Sequence, residues 1–225
     1  MGKNDNGNNG RTELVFVVDR SGSMGGLESD TIGGFNSMLS KQRTIAGECR
    51  VTTLLFDHRI ETLHNHLDIR EVTSRDYWVR GSTALLDAIG LAIDRMIVTQ
   101  RHTAAAYRAQ HVLFVIITDG YENASRRYSL HQIKQMITYE RERYHWEFVF
   151  LGANIDAEQT AGDFGISPRC ATDFHADGQG IKASFEAVAC AATAVRGGAD
   201  LDDLSAPDFL GGVRDDYRSR RRMKR

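Results

Sequence analysis

The segment His111-Val-Leu-Phe-Val-Ile-Ile-Thr118 carries six consecutive apolar residues and runs straight into Asp119-Gly120. In an extended chain successive side chains point to opposite faces, so this strand has to be covered on both sides. That is the condition of a parallel sheet packed between helices, and it places the segment at the sheet centre. Leu14-Val15-Phe16-Val17-Val18 has the same character and also ends in an acid, Asp19.

The rest of the chain alternates in period. Helical spacing over 29–44 (Ile32, Phe35, Met38, Leu39) is followed by a strand at Arg50–Phe56. Arg59–Leu63 comes after only Asp57-His58, too short for a crossover, and is expected as an antiparallel edge strand. A loop over 64–82 leads into a helix from Thr83 to about Thr99. Helices over 129–143, 155–164 and 178–195 alternate with strands at Glu147–Leu151 and Cys170–Phe174. The expected fold class is α/β: a doubly wound, mostly parallel central sheet with one antiparallel edge strand and helices on both faces. Open sheets of this type bind ligands outside the carboxyl ends of their strands, where the strand order reverses, and Asp19 and Asp119 both lie at such ends.

With 225 residues, 41% of them hydrophobic, the chain fits one domain. We divide it into a flexible polar lead (1–11), the domain (12–198) and a C-terminal tail (199–225), basic from about 214. Arg214 to Arg225 hold seven Arg or Lys against Asp215 and Asp216. This +5 segment, taken from a net charge of −2, leaves −7 for the remainder. Such a tail is either solvated or a contact for nucleic acid or acidic protein, and with Tyr217 alone among its charges no aromatic interleaving favours nucleic acid. No apolar stretch has the length of a membrane span, and the Asn/Gly-rich first ten residues lack the apolar core of a signal peptide. The cytoplasm is the expected compartment. Cys49, Cys170 and Cys190, odd in number and widely spaced, are expected as free thiols.

Asp19-Arg20-Ser21-Gly22-Ser23 places three oxygen-bearing side chains at alternate positions of an extended loop, with Arg20 and Gly22 pointing away. One carboxylate and two hydroxyls suit a hard divalent ion, Mg²⁺ or Mn²⁺, and leave it short of six ligands, so an incoming carboxylate can complete the shell. Ca²⁺ prefers more carboxylates. Thr83, in a loop entering a helix, and Asp119 can converge on the same point.

This set resembles the metal-ion-dependent adhesion site (MIDAS) of von Willebrand factor A (vWA) domains, whose pattern is Asp-x-Ser-x-Ser, then a Thr, then an Asp. Gly81-Ser82-Thr83-Ala84-Leu85 and Ile117-Thr118-Asp119-Gly120 are similar to that family's surroundings for the last two, and the likeness runs from Glu13 to Val195. The resemblance implies Ser21, Ser23 and Thr83 as direct ligands and Asp19 and Asp119 as ligands directly or through water. Of the family's types, the chain is most similar to the bacterial standalone intracellular one. A non-enzymatic module is implied, in which a Glu or Asp of a partner protein completes the metal shell. A self-assembling scaffold using the same site is the alternative. Metal-dependent phosphoester hydrolysis is a lesser one, because only Asp19 and Arg20 are available as base or clamp.

Arg20, Gly22, Glu122 and Asn123 are candidates for a partner-facing rim, although Glu122, Asn123 and Ser125 serve equally as helix caps. Asp87, one turn after Thr83, either supports the site or favours the helix dipole. His64-Asn65-His66 with Asp68 has ligand-like spacing but also reads as a solvated turn. Tyr77 and Trp78 are core anchors or a partner-facing aromatic pair. Gly152-Ala153-Asn154 is no phosphate loop, since no Lys-Ser/Thr follows.

Overall fold

The structure, a computed structural model, describes residues 10–73, 79 and 81–223. The two apolar runs are the central strands β1 (Thr12–Asp19) and β4 (His111–Thr118), paired in parallel with Leu14 opposite Leu113. On its other edge β1 pairs with β2 (Cys49–Phe56), which carries the antiparallel edge strand β3 (Ile60–Asp68). Beyond β4 lie β5 (Glu147–Gly152) and β6 (Ala171–Asp173), giving the order β3-β2-β1-β4-β5-β6. The order reverses between β1 and β4. Right-handed crossovers therefore send α1 (Glu28–Arg43) to one face and α2 (Leu85–His102), α3 (Leu130–Tyr144) and α4 (Ala157–Asp163) to the other. α5 (Gly178–Arg196) returns to pack on α1. The doubly wound α/β class is what the sequence predicts.

Aromatic rings fill both layers. Phe16 meets Phe35 edge-on at 5.0 Å, and Phe114 stacks on Phe148 at 4.8 Å and Trp146 at 5.5 Å. Gly34 is required where α1 crosses α5, because a Cβ there would come within 2.4 Å of the Phe185 ring. α3 opens with a capping box between Ser129 and Gln132. Cys49 and Cys170 are buried free thiols and Cys190 an exposed one.

Two segments differ from the sequence expectation. β3 extends to Asp68, so His64, Asn65 and His66 lie in a bulged strand. His64 is buried, stacks on Phe35 and bonds the Thr73 carbonyl at 2.9 Å, while His66 Nδ1 lies 2.7 Å from buried Glu13. The two rings are thus engaged separately, and no shared ligand set forms. The basic end of the tail is also ordered: Gly211–Met223 form a helix, α6, packed on α5 and β6. Val213 anchors it, and Arg214 donates to the carbonyls of Pro168, Arg169 and Ala171 at 3.0 Å each. Arg220 pairs with Asp177 and Asp216 at 2.6 Å. These contacts depend on partners distant in sequence. Tyr77 and Trp78 lie outside the described residues. Among the described residues no helix is long and apolar enough to cross a membrane.

Candidate metal centre

Because β1 and β4 are parallel neighbours, the chain leaves both at the same pole of the sheet. Asp19 and Asp119 are thereby brought together, with 0% and 2% exposure. Asp19 is held by the Ser21 N–H on Oδ1 at 2.7 Å and by the Thr118 hydroxyl on Oδ2 at 2.6 Å. The chain then turns through a short 3₁₀ segment, Gly22–Met24, whose Met24 is fully buried. That turn aims Ser23 Oγ at Asp119 Oδ1, 2.5 Å away, and sets it 3.0 Å from Ser21 Oγ. Four of the five candidate ligands form one hydrogen-bonded cluster.

Thr83 closes it. Its Oγ1 and Ser23 Oγ would lie 3.6 and 3.7 Å from a Cβ at Gly120, so both hydroxyls border the same small space beside Asp119. Backbone bonds fix the loop that carries Thr83. The Gly22 N–H donates to the Gly81 carbonyl at 3.2 Å, and the Ala84 N–H to that of Asp57 at 2.9 Å. The Thr83 N–H donates to Asn123 Oδ1 at 2.9 Å, and the Thr83 carbonyl accepts from the Asn123 and Ala124 N–H groups.

Burial raises the pKa of Asp19 against the hydrogen bonds that lower it. Burial likewise pushes Asp119 up to about 6, with the charge of Asp19 adding to the effect. Within this cluster Asp119 Oδ2 is buried and has no hydrogen-bond partner among the described residues. The donor set consists of hydroxyls and carboxylates, which are hard oxygen ligands. Among the described residues no group of three His, Cys, Asp or Glu is arranged to hold a metal. The set fits a small divalent cation, which would neutralise the acid pair and engage the orphaned oxygen.

The rim candidates separate. Arg20, expected to face a partner, is instead fully buried: it donates to Asp57 Oδ2 at 3.0 Å and Glu61 Oε2 at 2.7 Å. Its alternation away from Ser21 turns it into the protein rather than toward solvent. Glu122 is a cap, accepting from the N–H groups of Leu86, Ala124 and Ser125 and from the Ser125 hydroxyl, all within 2.8 Å. Asp87 accepts from the N–H groups of Arg126, Arg127 and Tyr128 at 2.9 Å and so fixes the loop after Asp119. Gly22 and Asn123 remain exposed. Two residues that sequence reasoning left aside belong to the site's surroundings: Thr118, which holds Asp19, and Tyr121, 63% exposed beside Asp119. A hydroxyl residue ending a buried strand was the available signal for Thr118.

No family model and no curated protein matches the chain. Solved structures do. Proximal thread matrix protein 1 from the mussel byssus, with a zinc-occupied MIDAS motif, is 16% identical with a TM-score of 0.57, over 81% of this chain and 46% of that one. Manganese-loaded TRAP protein of Plasmodium vivax is 17% identical with a TM-score of 0.55, over 78% and 72%. A D319A mutant of the PilB minor pilin from Streptococcus sanguinis is 13% identical with a TM-score of 0.54, over 88% and 64%. The chain thus spans less than half the length of the mussel protein. With its strand order and single antiparallel edge, the chain has the fold of a von Willebrand factor A domain.

Proposed function

We propose that this chain is a non-catalytic, metal-dependent protein-interaction module. Asp19, Ser21, Ser23, Thr83 and Asp119 hold a divalent cation, and a Glu or Asp of a partner protein supplies a further ligand. The observation that carries this reading is the buried Asp119 Oδ2, without a hydrogen-bond partner among the described residues, beside a second buried carboxylate. Two acids taken out of water at one point are unfavourable unless a cation compensates them. Three neutral hydroxyls add no charge, so a bound cation stays electron-poor and retains affinity for an external carboxylate.

Few carboxylates favour Mg²⁺ or Mn²⁺ over Ca²⁺. The manganese of the Plasmodium protein and the zinc of the mussel protein support a divalent ion in this fold. A hydrolytic reading loses its clamp, since Arg20 is committed to Asp57 and Glu61. A protein partner is further supported by the matrix and pilin relatives in structure. Three free thiols support a reducing compartment, the cytoplasm.

The test is calorimetric titration with Mg²⁺ and Mn²⁺, followed by retention of extract proteins on the immobilised chain in Mg²⁺ or EDTA. Wild type is expected to bind one equivalent. Asp19→Ala and Thr83→Ala are expected to lose at least about tenfold in affinity while staying folded. Metal binding with an identical retained set in both buffers would sink the partner-completed mode.

A further inference from the structure

One segment projects from the fold at the pole opposite the candidate metal centre. Residues 197–210 join α5 to α6 across the amino end of the sheet, next to Glu147 at the start of β5 and Arg169 before β6. The crossing is pinned. Leu201 and Leu210 are buried, Arg169 donates to the carbonyls of Leu201 and Ala206, and Arg141 pairs with Asp202. Between the pins Asp203-Leu204-Ser205 stand exposed, with Leu204 at 86% the most exposed large hydrophobic among the described residues. Asp203 Oδ1 is fixed by the Ser205 N–H and hydroxyl at 2.8 Å each, and its Oδ2 makes no hydrogen bond among the described residues. A lone exposed leucine is ordinary. A leucine beside a carboxylate already locked in a turn is a preorganised ligand, an apolar knob with an anion at its side.

The other pole is complementary. On the loops that flank the candidate centre His58, Arg59 and Arg126 are exposed, and the side chains of Arg59 and Arg126 have no ion pair among the described residues. Tyr121, two residues after Asp119, is 63% exposed and offers an apolar ring on the same loop. The connecting segment holds Asp200, Asp202, Asp203 and Asp208 and no Lys or Arg. Asp202 and Asp208 are paired with Arg141 and Arg214, whereas Asp200 and Asp203 have no ion pair among the described residues.

We propose that the metal centre takes the Asp203-Leu204 knuckle of a second copy of this chain, with Asp203 as the incoming carboxylate and Leu204 against Tyr121. The inference rests on the metal-dependent reading above and names the partner of that same centre. Strands of six to eight residues separate the poles by roughly 20–26 Å before loops are added, so a knuckle cannot reach its own centre. A contact between opposite poles is heterologous, and repeating it gives an open filament or a ring. A small interface of this kind is weak, so association belongs at about 10 µM and above.

The experiment is sedimentation velocity of the full chain with Mn²⁺ or EDTA, with Mn²⁺ binding measured separately by electron paramagnetic resonance at low protein concentration. In Mn²⁺ the weight-average sedimentation coefficient of wild type is expected to rise with concentration, and in EDTA to stay monomeric. Asp203→Asn keeps the turn's acceptor and is expected to bind Mn²⁺ normally yet remain monomeric. Thr83→Ala is expected to lose Mn²⁺ and assembly together. Mixing the two variants leaves one competent centre facing one competent knuckle, and growth should stop at the dimer. Wild type that binds Mn²⁺ but stays monomeric would overturn the proposal in favour of a different protein partner, leaving the metal reading intact. Assembly that persists in Asp203→Asn would overturn the choice of knuckle. Failure of wild type to bind Mn²⁺ would overturn the metal reading and this inference with it.

Discussion

Arg196, at the end of α5, and Asp119, at the end of β4, are both ionisable side chains taken out of water, with 4% and 2% exposure. Their surroundings are opposite. Arg196 Nη1 donates to the Gln42 carbonyl at 2.6 Å, and Nη2 to the carbonyls of Ile45, Ala46 and Gly47 at 3.0 to 3.3 Å, so it closes the α1–β2 turn. Asp119 has one oxygen engaged by Ser23 and the other without a hydrogen-bond partner among the described residues. The buried charge of Arg196 is met by acceptors and serves packing, whereas that of Asp119, beside a second buried acid, is left incomplete at the candidate centre.

The contrast breaks if the two sites respond alike to substitution. Arg196→Ala should cost about 3 kcal/mol, because several carbonyls lose a charged donor together; a lower urea midpoint at unchanged m-value would show it. Asp119→Asn should leave the metal-free fold as stable as wild type, or more so by up to about 1 kcal/mol. The larger effect of that change appears with metal. Wild type at a hundred times the dissociation constant should gain about 2.7 kcal/mol, read as a rise in melting temperature, and the variant nothing.

Smaller effects sharpen the boundary between scaffold and site. Glu122→Ala removes a cap that four donors share and should cost about 1–2 kcal/mol in thermal or urea unfolding, with metal affinity changed far less than by Thr83→Ala. Glu147 supplies the smallest effect. Burial, with Asp200 and Asp202 nearby, pushes its carboxyl from the ordinary 4.5 up to about 7. The native state then holds this proton more tightly than the unfolded chain, so its contribution to stability falls as pH rises from about 4.5 to about 7. Urea midpoints measured across that window should slope less in Glu147→Gln than in wild type.

The sheet was legible because β1 and β4 are apolar on both faces, and that pattern has few other uses. Helices α1 to α5 followed from period and caps. Each candidate ligand was legible because it sits where a strand ends or a helix begins. What stayed hidden depends on contacts made across the chain. Arg20 is two residues from Gly22 in sequence, but its inward course depends on Asp57 and Glu61. Glu122 as a cap depends on the α2 terminus, about 36 residues earlier. The Gly211–Met223 segment is so charged that local pattern gives a solvated tail, and only Val213 with the carboxylates and carbonyls awaiting Arg214 and Arg220 makes it a docked helix.

The placement of β1 between β2 and β4 also has a consequence in time. Thr12 pairs with Cys49 on one edge and with His111, about a hundred residues later, on the other. At about 5–20 residues per second, a nascent chain carries Leu14–Val18 with at least one unpaired edge for roughly 5–20 s before β4 leaves the ribosome. The strand most deeply buried in the finished protein is therefore the one that waits longest for its second neighbour. Asp119 arrives with the same late segment, so the candidate centre is incomplete until that edge is closed.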